Sequence, residues 1–343
     1  MGRVASLDTG RVVAVLAVLT LHARLRRQFF GGDLHGWERV AEVAADHACR
    51  FAVPFFFFVS GYLLARSARG GPVLPRAAAG FRRAVLLYLV WSVLFLVVNP
   101  FEWAAYEWLS DGHVSGPVPA WPSPGELVLQ MFQGARIQLW FLPALGTALL
   151  AVGLLDRVRP AVGLAVAVAL YAVGLAGGAY GPVTGLDLGA VSRNGPFFGT
   201  LFVFLGHATG KAGGRPRLGP AVALVGAGVA LQAVEVWGLH EFAGAGWISP
   251  QVDYYAGTAL TGVGAGRIAL ARPDVGAGTV WPRLGVLTLG VYLLHVDVQY
   301  LLAAVVPPHT LAGQFGLVLA SYVISVALAW ALARTRVGRR LVT

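Results

Sequence analysis

Ten stretches of the chain are apolar over most of their length, near residues 11–29, 47–65, 84–101, 139–155, 161–178, 195–210, 218–238, 254–271, 284–305 and 311–333. Runs of this length, without strict apolar–polar alternation, read as helices able to cross the hydrocarbon layer of a bilayer. The pattern predicts an all-α, polytopic membrane protein of about ten transmembrane helices. The longest polar interval, about 101–138, is too short for a separate soluble domain. A single integral-membrane domain over 1–343, with its core near 7–333, is the expected organisation.

Polar residues interrupt the pattern in few places, and the first stretch holds two of them, Arg11 and His22. At about 1.5 Å rise per residue they stand roughly 16 Å apart along one helix, one near a membrane face and the other near mid-bilayer. Ionisable side chains in a spanning helix are costly and mark functional sites. Histidine, with an unperturbed pKa of about 6.5, is suited to taking a proton from a hydroxyl near neutral pH. Packing against a neighbouring helix is the alternative for His22. Further polar residues in or beside the stretches are His47, Arg50, Arg136, Arg193, His207, Arg267, His295 and Asp297. His295 and Asp297, two apart, point to different faces of a helix and make no obvious dyad.

Composition agrees with the pattern. The chain is 57% hydrophobic and 12% charged, with a mean hydropathy of +0.69, against roughly 25% charged residues in a soluble domain. The net charge of +10 does not read as a nucleic-acid surface, because the arginines lie between the apolar stretches. Eighteen of the 26 Lys and Arg fall in the segments on the N-terminal side, together with only Asp8, Asp156 and Asp274 of the acidic residues. By the positive-inside rule this side is cytoplasmic, and an even count of spans puts both termini there. Arg24, Arg26 and Arg27, on the outer side of the first span, run against the rule. No small-x-small cleavage site follows the first apolar run, so it reads as an uncleaved helix. The lone Cys49 rules out an intrachain disulfide and reads as a small apolar residue. A 25:1 ratio of Arg to Lys and the richness in Ala, Gly and Val point to a high-GC prokaryote, hence to its cytoplasmic membrane.

Five arginines, Arg66, Arg69, Arg76, Arg82 and Arg83, follow the second stretch closely. Arginine forks bind phosphate oxygens with two parallel bonds; anionic lipid headgroups are the other reading. Ser60-Gly61, inside that stretch, permits close backbone approach. The outer segment carries Trp103, Tyr106, Trp108 and Trp121 among several prolines. Its aromatics suit either interfacial anchoring or stacking on sugar rings.

Together these residues resemble the acyltransferase 3 family of integral-membrane acyltransferases, which O-acylate sugars and other acceptors. Asp8-Thr-Gly-Arg11 and the eleven-residue step to His22 are similar to the family's first-helix signature. Phe57-Phe58-Val59-Ser60-Gly61-Tyr62 is similar to its second-helix segment, and Arg66-Ser-Ala-Arg69 to the arginine pair that follows. Leu139-Trp140-Phe141-Leu142-Pro143 and Gly290-Val-Tyr292-Leu-Leu-His295 resemble two later segments. The resemblance covers about residues 7–333, in a form without the soluble esterase-like domain that many relatives carry after the last helix.

The resemblance implies acyl-coenzyme A, acetyl-coenzyme A first, as a cytoplasmic co-substrate, with no tightly bound cofactor and no metal. It implies an acceptor reached from outside: a hydroxyl of a glycan, glycolipid or secreted small molecule. His22 and Arg11 become the expected catalytic pair, the histidine as general base. Ser60, Arg66, Arg69, Arg82 and Arg83 become the expected donor site, the arginines meeting the phosphates of coenzyme A. His295, Arg193, Trp140 and Tyr292 are expected to line the cavity or meet the acceptor. A transporter or flippase for a saccharide or acylated substrate also fits a polytopic chain with mid-span polar residues, although the two halves show no repeat. A haem site would need facing histidines, and His22 with His295 is the one loose pair.

Overall fold

The computed structural model describes residues 4–30, 34–68, 70–114, 123, 125–126, 135–247, 252, 254–306 and 308–343; of 25–30 it describes the backbone. The fold is all-helical, with no strand among the described residues. The longer helices are α1 (Ala5–Phe30), α2 (Gly36–Cys49), α3 (Ala52–Ala68), α4 (Val73–Asp111), α5 (Phe141–Leu155) and α6 (Pro160–Ala176). They continue with α7 (Pro196–Ala212), α8 (Leu218–Ala243), α9 (Ala256–Ala271), α10 (Thr288–Ala303), α11 (Leu311–Ala333) and α12 (Arg336–Val342). A 3₁₀ turn, Ile137–Trp140, leads into α5.

Among the described residues, seven helical segments are long and apolar enough to cross a membrane: Ala5–Arg24, Gly36–Ala68, Val73–Asp111, Ile137–Leu155, Leu218–Ala243, Trp281–Ala303 and Leu311–Ala333. The other three expected stretches are helical too, as α6, α7 and α9, but at 17, 17 and 16 residues they fall short of that length. Two boundaries move from expectation. The second stretch starts at Ala52, because the chain turns at Arg50–Phe51 after α2. The third does not end near 101: α4 runs through Pro100 to Asp111. Proline in a helix costs a backbone bond. Tertiary contacts offset this: Glu102 is buried beside Arg136, and Tyr106 stacks on Tyr300 with centroids 4.7 Å apart.

The contacts divide the chain into two compact units, with α1 and α4 contributing residues to both. The first comprises 1–14, 50–85 and 141–282. Its core is the crossing of α3 with α7. A Cβ on Gly61 would collide with the Val203 backbone, and one on Gly206 with that of Phe58, so glycine at both places lets the helices approach through their backbones. The phenylalanine run fills the space around this crossing: Phe55, Phe57 and Phe58 are buried, and Phe57 meets Phe141 and Phe198 edge-on at 5.1 and 5.5 Å. Glu235 of α8 accepts from the first two backbone N–H groups of α9, Ala256 and Gly257, at 2.7 Å each, and from the Tyr180 hydroxyl. A carboxylate at a helix N-terminus satisfies donors that the helix leaves open. The start of α1 is fastened in the same unit, Ser6 donating to Ala269 at 2.6 Å through its hydroxyl and to Pro273 at 3.1 Å through its backbone.

The second unit comprises 15–49, 86–140 and 283–343. Gly290 holds α10 against α11 and α12, since a Cβ there would lie 2.8 Å from the Cβ atoms of Ala329 and Val342. The Trp91 indole donates to Leu341 at 3.3 Å. Arg24, which ran against the charge rule, is buried and paired with Asp46 of α2 at 2.8 Å. Its charge is therefore compensated inside the protein rather than presented to either aqueous face.

Candidate active site

The second unit gathers a layer of polar side chains onto α10 in an otherwise apolar interior. His22 comes from α1 and His295 from α10, 273 residues apart in sequence, with Nδ1 of His22 2.8 Å from Nε2 of His295. Their rings lie nearly parallel at 4.8 Å. Nδ1 of His295 is 2.6 Å from the carbonyl oxygen of Tyr292, one turn earlier. A carbonyl only accepts, so His295 carries its proton on Nδ1. In the neutral ring its Nε2 is then the acceptor, and His22 donates to it from Nδ1. The acceptor lone pair of His22 is thereby assigned to Nε2. His295 is fully buried and His22 half-buried.

The surroundings hold His295 in place. The Tyr292 hydroxyl donates to the Gln138 carbonyl at 2.8 Å, and the Gln138 amide donates to the Leu293 carbonyl at 2.9 Å and to Asp297 at 3.4 Å. Trp140, buried, closes the same 3₁₀ turn. Asp297, turned away from His295 as its spacing predicts, accepts from Arg136 at 2.7 Å; Arg136 also donates to Asn99 at 3.0 Å and to Glu102. Burial opposes the Arg136 charge, but Asp297 and Glu102 outweigh it and hold its pKa above the ordinary value. Gln299, one turn beyond His295, donates to the Leu19 carbonyl at 2.9 Å and to Ser321 at 3.4 Å. The carbonyl oxygens of the Gln138 and Gln299 side chains are buried without a hydrogen-bond partner among the described residues. Such oxygens are costly unless a donor reaches them.

The remaining expected residues lie in the first unit. Arg11, partly exposed, pairs with Asp8 at 3.0 Å one turn before it on α1. The Ser60 hydroxyl donates to the Phe56 carbonyl of its own helix at 2.8 Å, the local bond that serine makes in apolar helices. Arg66 closes α3, and Arg82 and Arg83 stand on α4, all exposed. Arg69 lies outside the described residues, as does Trp121. Arg193 sits half-buried in the short helix Val191–Asn194. The structure thus brings together His22, His295 and Tyr292, with Trp140 in the same unit, whereas Arg11, Ser60, Arg66, Arg82, Arg83 and Arg193 belong to the other.

Sequence reasoning passed over Gln138, Gln299, Glu102 and Asp46. Gln299 carried a usable signal, four residues after His295 on one helical face. Asp46 carried none, because α2 is too polar to read as part of a span.

These features define a polytopic helical membrane protein with a hydrogen-bonded pair of histidines in its interior. The chain matches an acyltransferase domain over residues 4–334 and belongs to the acyltransferase 3 family. No curated protein and no solved structure matches it.

Proposed function

We propose that this protein transfers an acyl group, acetyl being the expected one, from cytoplasmic acyl-coenzyme A to a hydroxyl of an envelope glycan, glycolipid or secreted small molecule. It does so from a prokaryotic cytoplasmic membrane, with ten crossings and both termini inside. The observation that supports this reading is the bonded run from the Tyr292 carbonyl through His295 to His22, which assigns the acceptor lone pair of His22 to Nε2.

In the proposed reaction Nε2 of His22 takes the proton of the acceptor hydroxyl as its oxygen attacks the thioester carbonyl. The new C–O bond forms, the C–S bond breaks, and the departing thiolate recovers the proton from His22. The imidazolium formed in between keeps its Nδ1–H on Nε2 of His295, a positioned acceptor that needs no reorganisation. Arg11 orients the donor or stabilises developing charge, and its pairing with Asp8 holds the guanidinium in one place. Ser60, Arg66, Arg69, Arg82 and Arg83 form the donor site, four arginines offering forks to the phosphates of coenzyme A. His295, Tyr292, Trp140 and Arg193 serve the acceptor side.

The test is acyl transfer and membrane protein level measured side by side for His22→Ala and His22→Gln. A positioned base contributes about 10²- to 10⁴-fold, so both variants lose activity on that order while protein level persists. An active His22→Gln enzyme would sink the general-base role, since glutamine bonds a neighbour but takes no proton near neutral pH.

A further inference from the structure

On the side of α1 away from the histidine pair, the second unit contains a cavity of about 440 Å³ between α1, α2 and α11. No residue of α10 lines it. Its lining has two parts. Leu16, Leu21, Leu311, Phe315, Val318 and Leu319 make apolar walls. Arg24, Glu42, Asp46 and Gln314 make a polar end, tied together by the Arg24–Asp46 pair at 2.8 Å and a Gln314–Glu42 bond at 3.4 Å. Successive residues of a helix turn by about 100°, which puts Leu16, Thr20, Ala23 and Arg24 on one side of α1 and His22 on the other.

Two properties of the cavity specify an occupant. First, Phe315 and Leu319 line it and are also 65% and 45% exposed on a helix long and apolar enough to cross a membrane, so its α11 wall borders lipid. An alkyl chain therefore has a lateral way in. Second, the described charges at the polar end are already matched: Arg24 with Asp46, and Glu42 with Arg39 at 2.6 Å. A charged headgroup would add an uncompensated charge to a desolvated site, which is costly. A carboxylate offers about four lone-pair positions, so Glu42, at the polar end, can accept from a hydroxyl in addition to Arg39.

We propose that this cavity holds the alkyl chain of a membrane amphipath whose head is uncharged and hydroxylated, with hydroxyls donating to Glu42 and the Gln314 amide oxygen. The inference does not rest on the acyl-transfer reading, and it is tested without turnover.

The probe is an alkyl glucoside carrying a diazirine in its chain, photolysed with the full-length protein in phosphatidylglycerol nanodiscs. Saturable labelling of peptides from α2 and the first turns of α11 is expected, displaced by unlabelled dodecyl glucoside and not by the surrounding phosphatidylglycerol. Leu16→Trp and Val318→Trp place an indole in the chain's space and should cut labelling by about tenfold or more in folded protein. Unfolding midpoints identify which variants are folded, and the competition on unsubstituted protein decides alone if neither is. Labelling that does not saturate, that spreads over all lipid-facing helices, that a phosphatidylglycerol probe of equal chain length matches, or that persists in a folded tryptophan variant overturns the proposal.

Discussion

His22 and His295 do different work in the proposed reaction, and substitution separates them. His295 does not need to touch the acceptor; it presents Nε2 to the Nδ1–H of His22 at 2.8 Å and is itself held by Tyr292 at 2.6 Å. A glutamine in its place would still offer an oxygen to His22, so His295→Gln should cost roughly the net worth of one hydrogen bond, about 0.5–1.5 kcal/mol or up to about tenfold in kcat. His295→Ala removes the acceptor, and its loss should approach the roughly 10²-fold seen for a missing base. The measurement is kcat for the three enzymes at matched membrane levels. If His295→Gln falls as far as His295→Ala, His295 exchanges protons itself and the two roles are reversed. Each histidine stood out in the sequence as a titratable group in an apolar run. Their direct bond did not, beyond making them a loose pair, because a contact across 273 residues leaves no local periodicity. Gln138 was illegible for a related reason: an uncharged amide is a weak signal until the carbonyls beside it are known, whereas Gln299 had its place one turn after His295 to mark it.

At the scale of elements, α2 shows best where patterning stops informing. It is short and amphipathic, and its Glu42 and Asp46 look like solvent-facing residues of an outer loop. The structure buries both, and the Arg24–Asp46 pair joins α1 to α2 at 2.8 Å with side chains 7% and 0% exposed. Removing one member of a buried pair leaves a charge without compensation and costs about 3–5 kcal/mol, whereas replacing both by apolar groups is often neutral. Asp46→Ala should therefore lower the unfolding midpoint of the solubilised protein sharply, and Arg24→Met with Asp46→Leu should restore most of it. A double variant as unstable as the single would mean that the pair gives net stability of its own. The α3–α4 connection answers to a different measurement. Arg66→Ala with Arg69→Ala should weaken acyl-coenzyme A binding, at about 1.5–3 kcal/mol per charge-assisted bond, without moving the unfolding midpoint, because Arg66 is exposed. Lysine at both positions should recover part of the affinity, lacking the planar fork. Unchanged donor affinity would leave these arginines to topology alone.

For the whole molecule, the apolar pattern alone gave the all-helical fold, because a spanning segment must be long, apolar and internally hydrogen-bonded. Each of the ten expected stretches is helical. What the pattern did not carry was the division into two interleaved units, since that depends on which helices pack together and α1 and α4 belong to both. Sidedness rests on charge. Eighteen of 26 basic residues fall on the N-terminal side of the expected spans, and burial of Arg24 against Asp46 removes one of the three outer arginines that opposed this count. The expected outcome follows for single cysteines in a Cys49→Ala background, probed in intact cells with a membrane-impermeant thiol reagent. Cysteines replacing Arg76 and Arg215, both exposed, should react only after the membrane is opened, and one replacing Thr343 should behave alike. Cysteines replacing Gly112 and Gly246, also exposed, should react at once. Ten crossings require 76, 215 and 343 to share one side; seven would put the two termini on opposite sides. Thr343→Cys labelled in intact cells while Arg76→Cys stays protected would therefore reject the count of ten, and labelling of Arg76→Cys itself would reverse the orientation and move the donor arginines outside.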